Sequence, residues 1–376
     1  MMTLNDDQRM LQDTVRPLMA DDGSIKVQLR HWRDKGCKDG FGHGLWKQFA
    51  ELGLTGICIP EAAGGLGLGA VEAGVVLEEI GRNLTPSPFL TTAVAAVRAL
   101  DGSGQAERWF PGILAGETVA ALAIDEGRRH GPAGIAAQAV RSGNGFALSG
   151  AKQFVVHGGS ADVLLVAART SGSAGETDGL TLFAVPRDAA GMMIENLGLA
   201  DSSKAARVTF DKVQVDADAV IGEVDGGWSP LSRALGAGRA GAASELVGVA
   251  SGAAEMTFDY LKQRIQFGRL IGEFQALQHR AAHLYGEIEI ARAAALKAAQ
   301  LLDAGDPRAE LMVSVAKAKA GRAAALGVQE GVQMHGGIGM TDEHDIGLYM
   351  KREKVLGELF GGATFHTARV AELSGY

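Results

Sequence analysis

From Asp6 to about Gly116 the apolar residues recur at helical spacing, as in Leu45, Phe49 and Leu52, with breaks at Pro60, at Gly64 to Gly69 and from Pro86 to Pro88. This pattern predicts a helical first domain over residues 1–116. Near Glu117 it gives way to short alternating or continuous apolar runs: Ala120 to Ile124, Phe146 to Leu148, Phe154 to Val156, Val163 to Ala168, Leu180 to Val185 and Val208 to Val215. Turn signals at Ser142 to Gly145 and Ser171 to Asp178 separate them, so a small antiparallel β domain is expected over residues 117–222. Helical periodicity returns after Gly226 and continues in long segments such as Ala281 to Leu302, closed by the stop signal Ala304-Gly305-Asp306-Pro307. A four-helix bundle over residues 223–376 would bury those faces. The expected fold class is therefore α+β and multi-domain, with helical domains on both sides of the β domain.

Composition agrees with several packed cores. The chain has 376 residues, and a single core usually stops growing at roughly 250–300. Hydrophobic residues make up 47% and charged residues 21%, a globular balance. Cys37 and Cys58 stand in a chain without an N-terminal apolar signal stretch, which points away from a disulfide framework and toward the cytoplasm. A net charge of −8 without a block of lysine and arginine argues against nucleic acid or an anionic membrane as partner. The longest apolar stretch, Leu235 to Met256, is interrupted by Arg239 and Glu245 and is rich in glycine and alanine, so it reads as a buried helix rather than a membrane span. Its small residues leave two readings open: room for a bulky acyl group, or close helix packing.

Three segments carry chemistry. The first, Ile59 to Gly69, is a glycine-rich turn, and the second, Arg264 to Gln275, reads R-x-x-F-G followed by F-Q. The third, Gln333 to Thr341, contains Q-x-x-G-G-x-G. Taken singly, Arg264 would be a solvated helix residue and Gly336-Gly337 an ordinary turn. Together and in this order, the segments resemble the acyl-CoA dehydrogenase family over essentially the whole chain. The resemblance implies FAD as cofactor, an acyl-CoA thioester as substrate, α,β-dehydrogenation, and an electron-transfer flavoprotein as acceptor. It also implies an oligomer, dimer or tetramer, in which one subunit holds the flavin ring and its neighbour lends groups to the pyrophosphate and adenine end. Arg264, Phe267, Gln275, Gln333, Gly336 and Gly337 fall in the lent half. Arginine suits phosphate through its rigid fork of donors, and glycine lets backbone amides approach closely.

The other half of the site departs from the family. The reaction needs a carboxylate base beside the substrate, and in many members this is a glutamate just after the last long helix. Here Gly361 occupies that position, and counting back from Phe267 to the family's second location for the base gives Gly238. On the flavin-ring side, Ile124 to Pro132 lacks the expected hydroxyls, Phe154-Val155-Val156 replaces a tryptophan-isoleucine-threonine strand, and Ala363 and Phe365 replace polar residues. Two side chains remain candidates for the base. Glu245 lies two helical turns past Gly238, roughly 10 Å along the axis, and its plain reading is a paired or wet residue lining a groove. His366 has the plain reading of a satisfied surface or interface residue. The Gly361 amide could still meet a thioester oxygen. Asp342, Glu343, His344 and Asp345 are adjacent and do not converge on one ion, so no metal site is expected there.

Intact lent half and altered owned half are both accounted for if the chain completes a partner's site. Some bacterial members that act on thioesters of sterol side chains or other bulky acids are similar to this chain and work as heterotetramers, with the base in one subunit type. Two alternatives stand beside this: a self-sufficient homo-oligomer using Glu245 or another base, and a non-redox protein that binds acyl-CoA or a protein partner.

Overall fold

The computed structural model describes residues 3–376. In chain order the longer helices are α1 (Asp6–Ala20), α2 (His43–Glu51), α3 (Ala70–Asn83), α4 (Gly104–Leu114), α5 (Trp228–Gln263), α6 (Gln275–Asp303), α7 (Ala309–His335), α8 (Ile346–Glu358) and α9 (Ala363–Leu373). The strands are β1 (Ala120–Ala123), β2 (Gln138–Ser142), β3 (Gly145–Val156), β4 (Val163–Arg169), β5 (Leu180–Pro186), β6 (Met192–Gly198), β7 (Lys204–Val215), β8 (Val220–Ile221), β9 (Ile265–Gln266) and β10 (Arg269–Leu270). No helix among the described residues is long and apolar enough to cross a membrane. The chain divides into two compact units.

One unit takes the residues up to His31, Ala70–Pro86 and Arg239–Tyr376. Asn5 starts α1 by accepting from the Gln8 amide while the Gln8 side chain accepts from its own, a capping box. Helix α5 is apolar nearly all round, and Leu246, Val247, Val249, Ala250 and Ala253 are inaccessible to solvent, as a helix surrounded by others requires. Helix α3 packs on it at glycines. A Cβ on Gly81 would fall 2.1 Å from the Glu245 carbonyl oxygen, and one on Gly248 would fall 2.0 Å from that of Glu78. Close helix approach therefore accounts for Gly81 and Gly248. Helix α7 is central, packing against α6, α8 and α9 and meeting α5 where Gly327 faces Ala250. As expected, α6 stops at the Ala304-Gly305 signal, with Gly305 left-handed at φ +60°.

The other unit comprises Trp32–Gly69 and Ser87–Gly238. Its sheet runs β6-β7-β3-β2-β4-β5-β8, and β1 pairs with β4. The expected antiparallel sheet is in fact mixed. β1 lies parallel to β4, Ala120 opposite Val163 and Ala123 opposite Val166, because the chain passes through β2 and β3 before returning, the long connection that parallel pairing needs. β4 is buried along its whole length and β5 all but its final proline, hence their continuous apolar runs. Phe146–Leu148 and Phe154–Val156 belong to one strand, β3, whose register shifts between Lys152 and Val155, where Phe154 is left-handed. β2 and β6 show mostly exposed positions and so lack an apolar signature.

Candidate functional site

In the first unit the residues expected to lend contacts converge. After α5, the chain forms the hairpin β9-β10, whose turn residues Phe267 and Gly268 are both left-handed (φ +54° and +78°). The Ile271 amide donates to the Arg264 carbonyl at 2.8 Å, closing the hairpin base. Beneath it, Leu261, Ile271 and Met334 form a buried cluster with Phe258, Tyr260, Phe274, Leu277 and Ala281 packed against it. That cluster joins the end of α5, the start of α6 and the end of α7, so Arg264, Gln275 and Gln333 are carried by elements that share one core. All three are exposed, and their side chains make no hydrogen bond or ion pair among the described residues. Phe267 is 92% exposed, its ring edge-on to Phe274, which in turn lies under the Arg269 guanidinium at 4.0 Å.

Gly336 is left-handed (φ +65°), and a Cβ on it or on Gly337 would meet nothing within 4 Å. Packing within the chain does not require glycine at 337. An open, side-chain-free backbone beside an uncommitted arginine and two uncommitted amides fits the pyrophosphate and adenine end of a dinucleotide. Below this surface His335 is buried between Tyr260 and His344 (ring centroids 4.5 and 4.3 Å), and its Nδ1 is 2.7 Å from the Gly331 carbonyl. Burial pushes its pKa down, partly opposed by that carbonyl.

The family's base position has a different construction. The turn that follows α8 is held by three basic side chains of the same unit. Lys317 Nζ donates to the carbonyls of Leu356, Gly357 and Gly361 at 3.3, 2.8 and 3.1 Å. Arg239 Nε donates to Phe360 O at 3.2 Å, and His366 Nε2 lies 3.2 Å from the same oxygen. The Arg239 guanidinium also rests over the Phe365 ring, 5.4 Å from its centre. Burial lowers the Lys317 pKa to about 7. The Gly361 amide, a candidate donor to a thioester oxygen, donates to Glu358 O at 3.1 Å and so is committed within the turn. His366 is completely buried rather than a surface residue. Glu245 does not line a groove: it is 2% exposed and is gripped by Arg352, whose Nε donates to Oε1 at 3.0 Å. Neither Lys317 nor Arg239 was expected to hold this turn. The available signal was a lysine set among Val313, Ala316 and Ala320 on an apolar helix face.

In the second unit the segments expected near a flavin ring are occupied with one another. Asp125 accepts from the Gly131 amide (3.0 Å) and lies 2.9 Å from His130. Glu126 accepts from the amides of Ala136 and Ala137 and from the buried Lys152 ammonium at 2.7 Å. Burial pushes the Glu126 carboxyl up, but Lys152 and the two amides outweigh it and hold the pKa below the usual range. Phe154 presents a ring and no hydroxyl, and Val155 is fully buried. These residues do not fit the polar face of a flavin ring. Among the described residues there is no cluster of metal ligands. Asp342 and Asp345 lie against Arg30 at the approach to α8, with Asp345 2.6 Å from the guanidinium.

Comparison with known proteins matches three family models in chain order: acyl-CoA dehydrogenase N-terminal domain over residues 5–117, middle domain over 125–213 and C-terminal domain over 225–373. The chain is 30% identical to cyclohex-1-ene-1-carbonyl-CoA dehydrogenase of Syntrophus aciditrophicus, over 98% of this chain and 89% of that protein. It is 29% identical to acyl-CoA dehydrogenase IpdE2 of Mycobacterium tuberculosis, over 93% and 92%. Among solved structures, a Tcur3481-Tcur3483 steroid ACAD superposes with a TM-score of 0.88 at 33% identity, covering 99% of this chain and 98% of that one. Butyryl-CoA dehydrogenase from Megasphaera elsdenii shares the fold, with a TM-score of 0.89 at 24% identity and 99% coverage of each chain. Fold, motif order and these matches agree: the chain belongs to the acyl-CoA dehydrogenase family, flavoprotein oxidoreductases of lipid metabolism that act on acyl-CoA thioesters.

Proposed function

We propose that this chain is the completing subunit of a hetero-oligomeric acyl-CoA dehydrogenase. Its Arg264, Phe267, Gln275, Gln333, Gly336 and Gly337 would hold the pyrophosphate and adenine end of an FAD whose ring lies in a partner chain. When bound, the flavin supplies the acceptor for a hydride from the substrate's β-carbon. The partner's carboxylate takes the α-proton. This chain contributes positioning through the Arg264 fork and the open Gly336-Gly337 backbone, which fix the cofactor without taking part in bond breaking.

The observation that carries the reading is the asymmetry between the two regions. The side chains of Arg264, Gln275 and Gln333 are exposed and make no hydrogen bond or ion pair among the described residues, whereas Gly361 has no side chain and both of its backbone polar groups are already bonded. Glu245, the remaining carboxylate candidate, is held by Arg352. An electron-transfer flavoprotein would be the electron acceptor of the complex, in the cytoplasm. A bulky cyclic or steroid-type acyl group is the preferred substrate class, supported by the 33% identical relative named as a steroid ACAD.

The test is purification of the chain alone and together with a base-bearing family member from the same genome. The expected result is substoichiometric flavin and no turnover for the chain alone, with both present in the complex. Stoichiometric flavin and full turnover in the chain alone would overturn the assignment.

A further inference from the structure

Gly361 is left-handed (φ +107°), and a Cβ built on it would lie 2.6 Å from Phe365 Cδ1, 3.1 Å from Phe365 Cε1 and 3.0 Å from His366 Nε2. Real Cβ contacts are essentially never shorter than 3.0 Å, so Phe365 would have to move to admit any side chain at this position. The Phe365 ring cannot swing away freely. It is edge-on to His366 at 5.1 Å, and the Arg239 guanidinium stacks over its face. Arg239 in turn holds the Phe360 carbonyl, and Lys317 holds that of Gly361, which fixes the backbone on which the clash depends.

We infer that Phe365 is a plug: with His366 it fills the space that a side chain at 361 would need, and the Arg239–Lys317 bonds keep the turn in the plugged form. This extends the completing-subunit reading, on which its functional meaning rests, since the position is shut as well as lacking its carboxylate. A glutamate placed at 361 alone would meet the plug and would not become a base directed at substrate.

A double-mutant cycle tests this, using Gly361→Ala, Phe365→Ala and the double variant in the full-length chain. Gly361→Ala is expected to lower the melting temperature by about 5–10 °C, from combined backbone strain and ring clash. In the Phe365→Ala background the same change is expected to cost less, because the ring clash is gone while the backbone strain and the 3.0 Å approach of His366 Nε2 remain. Equal cost in both backgrounds, or no cost in either, overturns the plug. If Gly361→Ala does not yield folded protein, recovery of folded double variant supports the inference, and failure of the double variant as well overturns it. A direct view comes from Gly361→Cys labelled with a maleimide and counted by mass: labelling at this position only when Phe365 is also replaced is expected, and equal labelling with Phe365 present overturns the proposal. Turnover by the unmodified chain alone would end the completing-subunit reading while leaving the outcome of this cycle unchanged.

Discussion

Lys317 Nζ stands 3.1 Å from the carbonyl oxygen of Gly361 and 2.8 Å from that of Gly357, a buried amine spending its protons on the end of α8 and the turn beyond it. A helix C-terminus leaves carbonyls unsatisfied, and a cation there meets both the hydrogen-bonding need and the helix dipole. Burial opposes the charge and lowers the pKa from 10.5 to about 7. Between those values the unfolded chain binds more protons than the folded one. Stability attributable to this group therefore rises with pH from about 7 to 10.5 and is flat below. Unfolding free energies from urea titrations across that range should climb by at most about 1.4 kcal/mol per pH unit, and Lys317→Met should flatten the slope. An unchanged slope would remove Lys317 as its source.

The Arg264 guanidinium is exposed and has no partner among the described residues, so its removal should leave the folded subunit intact. Arg264→Ala is expected to shift the melting temperature by under about 1–2 °C while weakening FAD retention in the complex by roughly 10–100-fold, the loss of a charge-assisted hydrogen bond to phosphate. Flavin release on dilution, followed by fluorescence, measures this.

Glu245→Gln breaks the pair with Arg352 inside the protein. Because the Arg352 side chain is 24% exposed and can recover some hydration, the expected cost is about 2–3 kcal/mol, at the low end for a buried pair. Substrate-driven flavin bleaching in the complex should persist at close to the native rate. Loss of bleaching with unchanged stability would instead make Glu245 the base.

Glu126 bridges the buried Lys152 and two backbone amides. Glu126→Gln leaves an unpaired ammonium in the sheet and is expected to cost about 3 kcal/mol or more. Lys152→Met together with Glu126→Gln should recover part of that loss, since the unpaired charge is gone, and chemical denaturation of the three variants separates these outcomes.

Much of this protein was legible from residue order alone. Helical and strand periods, the Ala304-Gly305 stop and the motif Arg264 to Gln275 are local patterns, and they locate the helices, most strands and the family. Strands β2 and β6 were hidden because they alternate little apolar character, and the parallel pairing of β1 with β4 was hidden because it joins residues some forty positions apart. The sequence also marked Gly361 as a missing carboxylate, but a glycine code cannot say whether the space beside it is open. Only tertiary packing brings Phe365 and His366 against that Cβ position, and only it brings Arg239 from α5 and Lys317 from α7 onto the same turn. Contacts that close between distant segments depend on which faces are buried together, and no single stretch of sequence records that.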